Sequence, residues 1–365
     1  MKIGGQVYTK EQIMSRVGSL AQLGGTRHAR LSEGRAEGVA VIDFDTGSGL
    51  RFSVVPSRGL DISLASYKGT NLVYRTPNGE VHPAYYDARG LEWLRAFFGG
   101  LLTTCGLTYL GSPGRDGGED LGLHGRYSAS PAGRVADLSG WDGDEYYLKV
   151  AGEIEECALF MDKLRLARTI TACLGEKWLR IHDRVENFGC KASPLTILYH
   201  INGGFPLLDE GAELLVSAAE CEPHERTPRE AMDMRQRFSA PIPGFEEQNF
   251  LYRVLGDENG MARAALINRS LMGGLGLAMK FDAFALPFFN EWKMMGQGDY
   301  VTGIEPCNVP CANRAVLRER GQLAMIEPGQ TKEFFLELSV LEGTAEIEAF
   351  SATVDRTIDR GRPFL

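Results

Sequence analysis

Short runs of apolar residues, many of them alternating with polar ones, dominate the chain and predict β-strands. Turn-forming clusters, such as residues 186–189 and 327–330, separate these runs. The predicted strands span residues 38–44, 50–55, 145–153, 163–172, 178–185, 196–202, 264–268, 275–281 and 333–341. Because long stretches lack a helical period, the sequence predicts a mainly β fold built as one large antiparallel sandwich.

Few helices are predicted, and all of them are short. Thr9 and Gln12 fit a capping box that opens a helix, and residues 227–230 fit a second one with proline at the first helical position. Asp87 is a third candidate cap, for a helix running through Phe97. A doubly wound α/β fold would place helices of about 10–15 residues between successive strands, so the pattern argues against that class.

Composition narrows the class of protein further. Of 365 residues, 44% are hydrophobic and 24% are charged, which excludes a wholly disordered chain. The formal net charge of −9, without a dense Lys/Arg run, argues against a nucleic-acid partner. The apolar run 283–289 is far shorter than the ~20 residues that cross a bilayer, and residues 1–6 lack the apolar core of a signal peptide. We therefore expect no membrane partner and a cytoplasmic location.

The seven cysteines are odd in number and widely scattered, and none forms a CxxC pair. This pattern is typical of free thiols in a reducing compartment and disfavours a structural zinc site. The sequence also lacks the phosphate-binding patterns GxxxxGK and GxGxxG and the metal-binding pattern HExxH. The local sequence therefore shows neither a phosphate-binding loop nor a zinc-protease helix.

Two of the six histidines have unusual neighbours. His124 lies between Gly122 and Gly125 and precedes Arg126, so a ligand could approach its ring closely; the alternative is a histidine in an ordinary turn. In the predicted strand 196–202, apolar residues occupy the odd positions, which places His200 and Asn202 together on the opposite face. That face is either the floor of a groove or a solvated surface.

Glu305 stands in an apolar segment directly before Pro306, which favours an extended backbone. Partial burial would raise the pKa of this carboxyl toward neutrality, as a general base requires. The alternative is a glutamate that is neutralised by a nearby arginine.

Arg58 and Asp61 lie three residues apart around a predicted turn. They form either a structural ion pair or a binding site for a sugar or an anion. Trp292 follows the apolar run 284–289, and its ring offers either a stacking face for a sugar or an ordinary core contact.

Four motifs follow one another along the chain. They are Leu123-His124-Gly125, Glu186-Asn187-Phe188-Gly189 followed by His200, Gly303-Ile304-Glu305-Pro306, and Glu327-Pro328-Gly329 before the last strand. Their order resembles the aldose 1-epimerase, or galactose mutarotase-like, superfamily over residues 30–345. Within it, the chain is most similar to a divergent branch of the DUF4432 type.

The resemblance implies a β-supersandwich with a sugar-binding groove on one concave sheet. It also implies catalytic roles: Glu305 is the general base that takes the anomeric O1 proton, His200 is the acid that protonates the ring oxygen, and His124 binds and polarises the sugar. The reaction needs no cofactor, and the implied partner is a small carbohydrate.

The resemblance also predicts the domain organisation. We expect an N-terminal extension with a short helix over residues 1–30, the sugar-binding domain over 31–345, and a C-terminal tail over 346–365. Whether the chain forms a homodimer is left open.

Some expected sugar-binding residues have no match in this chain. The usual Asn-Arg-Ile stretch is replaced by residues 93–98, so Arg58, Arg126, Asn202 and Trp292 are assigned as groove residues of this branch. Asp61, beside Arg58, is the fifth residue assigned to substrate binding. A modified sugar is therefore as good a candidate substrate as galactose or glucose.

Two other functions stay open at this stage. One is a sugar isomerase or lyase on the same scaffold, which would recruit a metal through His124, His200 and Glu305. The other is a carbohydrate-binding protein without catalysis.

Overall fold

A computed structural model of the protein describes residues 1–363, most of which lie in antiparallel strands. The strands are β1 (Lys2–Ile3), β2 (Gln6–Val7), β3 (Gly25–Arg30), β4 (Ala40–Asp45), β5 (Leu50–Val55), β6 (Asp61–Tyr67), β7 (Thr70–Asn71), β8 (Thr103–Leu107), β9 (Gly114–Asp116), β10 (Glu119–Leu121), β11 (Gly133–Asp137), β12 (Gly140–Asp142), β13 (Glu145–Cys157), β14 (Lys163–Cys173), β15 (Trp178–Asn187), β16 (Ser193–Pro194), β17 (Thr196–Gly203), β18 (Glu213–Val216), β19 (Ala218–Pro223), β20 (Gln248–Val254), β21 (Met261–Asn268), β22 (Leu275–Asp282), β23 (Phe288–Met295), β24 (Tyr300–Cys307), β25 (Met325–Ile326) and β26 (Thr331–Glu342).

Helical structure is confined to short segments and one longer C-terminal helix. The α-helices are α1 (Lys10–Met14), α2 (Arg314–Glu319) and α3 (Thr344–Arg360). The 3₁₀ turns span Leu20–Gln22, Gly34–Ala36, Pro56–Arg58, Pro83–Tyr85, Glu92–Arg95, Tyr127–Ala129, Arg229–Met234 and Leu271–Gly273. None of the helices in the described part of the chain is long and apolar enough to span a membrane.

Three sheets make up the body of the fold. The largest has nine strands in the order β11-β13-β14-β15-β26-β22-β21-β18, with β12 added beside β13. A six-stranded sheet has the order β19-β20-β23-β24-β17-β8, and a five-stranded sheet runs from β3 to β7. All of these strands pair antiparallel, so the predicted mainly β, antiparallel supersandwich with a few helices is confirmed.

The burial pattern explains how the sheets pack. Along β14 and β15 of the nine-stranded sheet, buried and more exposed residues alternate, as expected for a sheet with one solvated face. In β17 and β24, at the centre of the six-stranded sheet, all eight residues of each strand are buried. Both faces of this sheet are therefore covered.

The two faces of the six-stranded sheet contact different apolar clusters. One face joins the main core, to which Tyr199 of β17 and Ile304 of β24 contribute together with residues of the other two sheets. The opposite face carries a second cluster that includes Leu198, Cys105 and Cys307. Loop residues, among them Trp93, cover this second face.

A buried polar network joins the main sheets. The Arg168 guanidinium donates to both carboxylate oxygens of Asp183, at 2.9 and 2.7 Å, and to Asp61 at 3.0 Å. Tyr199 donates its hydroxyl to Asp183, and Thr104 donates to Asp61. Burial raises the pKa of Asp61 to about 6, although Arg168 opposes that shift. Within this network, each charged side chain therefore has an oppositely charged partner.

The helix predictions had mixed outcomes. α1 begins after Thr9, and both hydrogen bonds of its capping box with Gln12 are present. Asp87 does not cap a helix, since its carboxylate binds Arg89 instead. The 3₁₀ turn Arg229–Met234 begins without a side-chain cap, so the second predicted capping box is wrong.

Residues of the predicted N-terminal extension and C-terminal tail pack against the sheets. Within the predicted N-terminal extension, β3 pairs with β4 of the five-stranded sheet. The predicted tail corresponds to most of α3, whose Ile347 packs in an apolar cluster on the nine-stranded sheet. Residues 364 and 365 of that tail lie outside the described part.

All seven cysteines are free.

Candidate active site

A row of polar side chains crosses the six-stranded sheet. Thr103 of β8 lies opposite His200 of β17, and Asn290 of β23 lies opposite Glu305 of β24. Since Ile201 pairs with Ile304, the antiparallel register places His200 and Glu305 beside each other. His200 and Glu305 therefore meet on the sheet face that looks away from the main core.

The Glu305 carboxyl is buried, at 1% exposure, and its two oxygens have different surroundings. Asn290 donates its side-chain amide to Oε2 at 2.7 Å. Oε1 lies 3.2 Å from Nε2 of His200 and has no hydrogen bond of acceptable geometry with any residue in 1–363. One oxygen is therefore held by a hydrogen bond, while the other has none.

Burial determines the protonation of this pair. It raises the pKa of Glu305 to about 8, and the charge of Glu291 adds to the rise, whereas the Asn290 hydrogen bond opposes it. Burial also lowers the pKa of His200 well below its usual 6.5, with a further contribution from His124. Both shifts favour the uncharged forms, a protonated Glu305 and a neutral His200.

His124 reaches the site from a turn after β10. Its backbone adopts a left-handed conformation, with φ of 57°, and donates from its N–H to the carbonyl of Gly111. The ring centroid lies 5.8 Å from that of His200, in an edge-to-face arrangement. The residue is partly exposed, but its Nδ1 is buried, and desolvation lowers the pKa of His124 to about 4.

Aromatic rings surround His200. Phe97 lies 5.4 Å and Trp292 lies 5.6 Å from His200 between ring centroids, and Trp93 lies 4.9 Å from His124. Hydrogen bonds hold both tryptophans, because Trp93 donates to Ser128 and Trp292 donates to Glu247. The site thus consists of the Glu305 carboxyl and the His200 imidazole, with aromatic rings around them that form an aromatic wall.

Unpartnered polar atoms concentrate at this site. Among residues 1–363, eight buried side-chain polar atoms lack a hydrogen-bond partner. Four of them belong to residues of this cluster: Nδ1 of His124, Nδ1 of His200, Oδ1 of Asn202 and Oε1 of Glu305. Because buried polar groups are nearly always satisfied in folded proteins, this concentration marks the cluster as the candidate functional site.

Of the five residues assigned to substrate binding, Asn202 and Trp292 lie beside the catalytic candidates. Asn202 is buried on the same face as His200 and donates to the carbonyls of Gly100 and His200. Trp292 is only partly buried and contributes one edge of the aromatic wall.

Arg58 and Asp61 are held elsewhere. Arg58 is buried and donates to the backbone carbonyls of Ser128 and Val81, while Asp61 belongs to the network around Arg168. No hydrogen bond or ion pair joins Arg58 and Asp61 in the described residues, so the alternative of an Arg58–Asp61 pair is wrong. Burial in the core leaves neither side chain free to contact a sugar.

Arg126 lies on the surface beside the site. Its side chain is exposed and forms no hydrogen bond or ion pair within residues 1–363. It borders a small cavity that Tyr86, Tyr109 and Glu156 also line.

Replacing Asp61 with Asn tests this placement. The substitution removes a charge-assisted hydrogen bond to Arg168, so we expect the free energy of unfolding to fall by about 1–3 kcal/mol. Any activity of the Glu305–His200 site should stay within about threefold of wild type per folded molecule, because Asp61 does not face that site. Urea unfolding and initial rates measure the two effects, and a selective loss of substrate affinity would contradict the structural role.

The described residues contain no group of three or more His, Cys, Asp or Glu side chains arranged to hold a metal ion.

Asn290 and Gly303 were not assigned a role from the sequence. Asn290 precedes Trp292 by two residues, so period two places both on one face of a strand. Only the pairing of β23 with β24 reveals that this face is the one that carries Glu305.

Comparison with known proteins identifies the family. Residues 36–340 match the family profile described as domain of unknown function DUF4432. This chain belongs to the DUF4432 family. No curated protein matches the sequence.

Solved structures share the fold of this DUF4432 protein at low sequence identity. A Klebsiella pneumoniae protein, itself only provisionally named an aldose 1-epimerase, has 23% identity and a TM-score of 0.86 over 98% of this chain and 96% of its own. A galactose mutarotase-like protein from Clostridium acetobutylicum has 13% identity and a TM-score of 0.62 over 88% and 99%. Galactose 1-epimerase from Lactobacillus acidophilus has 12% identity and a TM-score of 0.56 over 87% and 99%. The fold is therefore galactose mutarotase-like.

Proposed function

We propose that this DUF4432 protein is an aldose 1-epimerase that interconverts the anomers of a sugar or modified sugar. The observation that carries the proposal is the contact between Glu305 and His200, whose facing atoms lie 3.2 Å apart within a buried, aromatic-lined site. Anomer exchange requires one group that accepts a proton and one that donates it. The shared fold with galactose 1-epimerase supports the same chemistry.

The reaction starts with a proton shift inside the pair. Moving the proton from Glu305 to His200 across 3.2 Å creates the carboxylate and the imidazolium that ring opening needs. Hydroxyl groups of a bound sugar favour this charged form, because they donate hydrogen bonds to Oε1 of Glu305, which otherwise has none.

Ring opening then follows from two further proton transfers. Glu305 takes the proton from O1, C1 and O1 form a carbonyl, and the C1–O5 bond breaks with its electron pair on O5. His200 gives its proton to O5. Rotation about C1–C2 presents the other face of the aldehyde, and the reverse transfers close the ring. Each transfer contributes about 10²–10⁴-fold to the rate.

The surrounding residues bind and orient the sugar. His124 contacts the ring-oxygen side, where its unpartnered Nδ1 forms a hydrogen bond to the sugar. Trp292 and Asn202 provide an apolar edge and a hydrogen-bond acceptor on the same face. Because Arg58 and Asp61 are held in the core, Arg126 is the remaining charged candidate for a contact at the rim.

The rate should depend on pH with a bell shape, because the pair works only while it holds one proton. We expect kcat/KM to fall above about pH 8, where Glu305 loses that proton. It should also fall at pH values well under 6.5, where His200 gains a second proton. Initial rates from pH 4 to 10, corrected for the uncatalysed reaction, measure both limbs. A rate that already declines above pH 5 would contradict the raised pKa of Glu305.

Polarimetry tests the activity itself. The optical rotation of a freshly dissolved pure anomer relaxes slowly to its equilibrium value. Added protein should speed this relaxation at least tenfold for one member of a panel of aldoses, uronic acids and sugar phosphates. New chemical products would point to an isomerase or a lyase, and saturable binding without acceleration would point to a carbohydrate-binding protein.

A further inference from the structure

Gly303 lies directly beneath the Glu305 carboxyl. It pairs with Trp292 on one side and Asn202 on the other, in the middle of β24. A Cβ atom at this position would overlap Oε1 of Glu305 and would lie 3.0 Å from its Cδ and 3.1 Å from Cε1 of His200. The nearest atoms to a side chain here would thus all belong to the two proposed catalytic groups.

The backbone itself does not require glycine at this position. Gly303 has no left-handed φ, and it lies in a regular strand whose register with both neighbours is continuous. Glycine in a strand interior weakens the strand, because it costs conformational entropy and packs no side chain. The lack of a side chain at Gly303 therefore leaves room above the strand for the Glu305 carboxyl.

Asn290 completes this arrangement from the neighbouring strand. Its amide donates to Oε2 of Glu305 at 2.7 Å, and Asn290 itself is buried. With Oε2 fixed by Asn290 and Oε1 resting over Gly303, the carboxyl has one orientation, in which Oε1 faces His200. We propose that Gly303 and Asn290 are positioning residues that hold the Glu305 carboxyl in its working orientation, an inference that rests on the proposed acid–base function.

Gly303→Ala is the most selective test of this inference. The added methyl group forces Oε1 away from His200, so we expect kcat to fall at least 100-fold while the protein remains folded. Gly140→Ala is the matched control, because Gly140 also lies in a strand without a left-handed φ and a Cβ there meets nothing within 4 Å. That control should keep wild-type activity and stability.

Shortening the Glu305 side chain tests whether the losses in kcat from two substitutions are independent. Glu305→Asp alone should lower kcat, because it withdraws the carboxyl from His200. In the Gly303→Ala background, the same replacement should cause no further loss, because the shorter side chain avoids the new methyl group. Independent, multiplicative losses from the two substitutions would overturn the steric role of Gly303.

Asn290→Ala tests the second contact through the pH profile. Losing a donor to the carboxylate disfavours its ionised form, so the alkaline limb of kcat/KM should move to higher pH. A purely structural residue would change the rate without moving the alkaline limb. An unchanged limb would therefore overturn the positioning role of Asn290.

Stability measurements separate a failure of this inference from a failure of the proposed function. If the wild type catalyses no anomer exchange, the proposed function fails, but the position of the carboxyl is still measurable. In the wild-type background, Glu305→Gln should stabilise the fold increasingly from pH 5 to 8, because it removes a buried carboxyl with a raised pKa. In the Gly303→Ala background, this pH-dependent gain should be at least halved. An equal gain in both backgrounds would show that Gly303 does not position Glu305.

Discussion

Replacing Glu305 with Gln is expected to abolish anomer exchange and to stabilise the fold at the same time. The rate should fall by about 10²–10⁴-fold, because glutamine cannot accept or donate the transferred proton. Stability should rise because the wild type must keep a carboxyl buried at the bottom of the site. Glutamine fits the same space and can still accept the hydrogen bond from Asn290.

The stabilisation has a defined pH window. The pKa of Glu305 rises from 4.5 in the unfolded chain to about 8 in the fold, so the folded protein binds more protons between these values. The carboxyl therefore costs nothing below pH 4.5, and its cost grows as the pH rises toward 8. Urea unfolding of wild type and Glu305→Gln should give nearly equal stability at pH 4.5 and a difference of about 4 kcal/mol at pH 8.

An exposed glutamate provides the control for this measurement. Glu258 lies in a surface turn, so Glu258→Gln should change neither the activity nor the pH dependence of unfolding. If Glu305→Gln also left the activity and the pH dependence of unfolding unchanged, Glu305 would be neither a catalytic group nor a buried carboxyl with a raised pKa. Lost activity with unchanged pH dependence would contradict the raised pKa.

Replacing His200 with Gln should have an equally large effect on activity and the opposite pH window for stability. The acid that protonates the ring oxygen is lost, so the rate should fall by about 10²–10⁴-fold. Because burial lowers the pKa of His200, the wild type loses stability as the pH falls below 6.5. His200→Gln should therefore match the wild type at pH 8 and exceed it at pH 5.

His182 is the matched control for this replacement. Its ring lies on the solvated face of β15, half exposed and 3.1 Å from Glu333, far from the sheet that carries the site. His182→Gln should leave the rate unchanged. A comparable loss of activity in both histidine variants would show that the effect of His200→Gln is not specific to the site.

The strand pattern made much of the fold predictable. Residues 50–55 were predicted as a strand and form β5, and the alternation in 196–202 correctly placed Tyr199 in the core and His200 on the other face. Period two identifies a strand and its faces because side chains alternate strictly along an extended backbone. Short helices were less predictable, since a capping residue such as Asp87 can satisfy a nearby arginine instead.

Parts of the site depend on contacts that no local pattern contains. Asp61 binds Arg168, which lies more than one hundred residues away in the chain, so its neighbour Arg58 was not a guide to its partner. The role of Gly303 depends on how far the Glu305 side chain leans along its own strand. Asn290 becomes relevant only once β23 pairs with β24. Such contacts follow from sheet order, which the sequence does not encode locally.

Saturation-transfer NMR in D₂O tests the central claim most directly. Saturating the H1 signal of one anomer reports its conversion to the other, while the H2 signal reports any exchange of a carbon-bound proton. We predict that wild type transfers saturation between the anomers of at least one sugar without loss of H2 intensity, and that Glu305→Gln does not. Loss of H2, or anomer exchange that is indifferent to Glu305, would contradict the account.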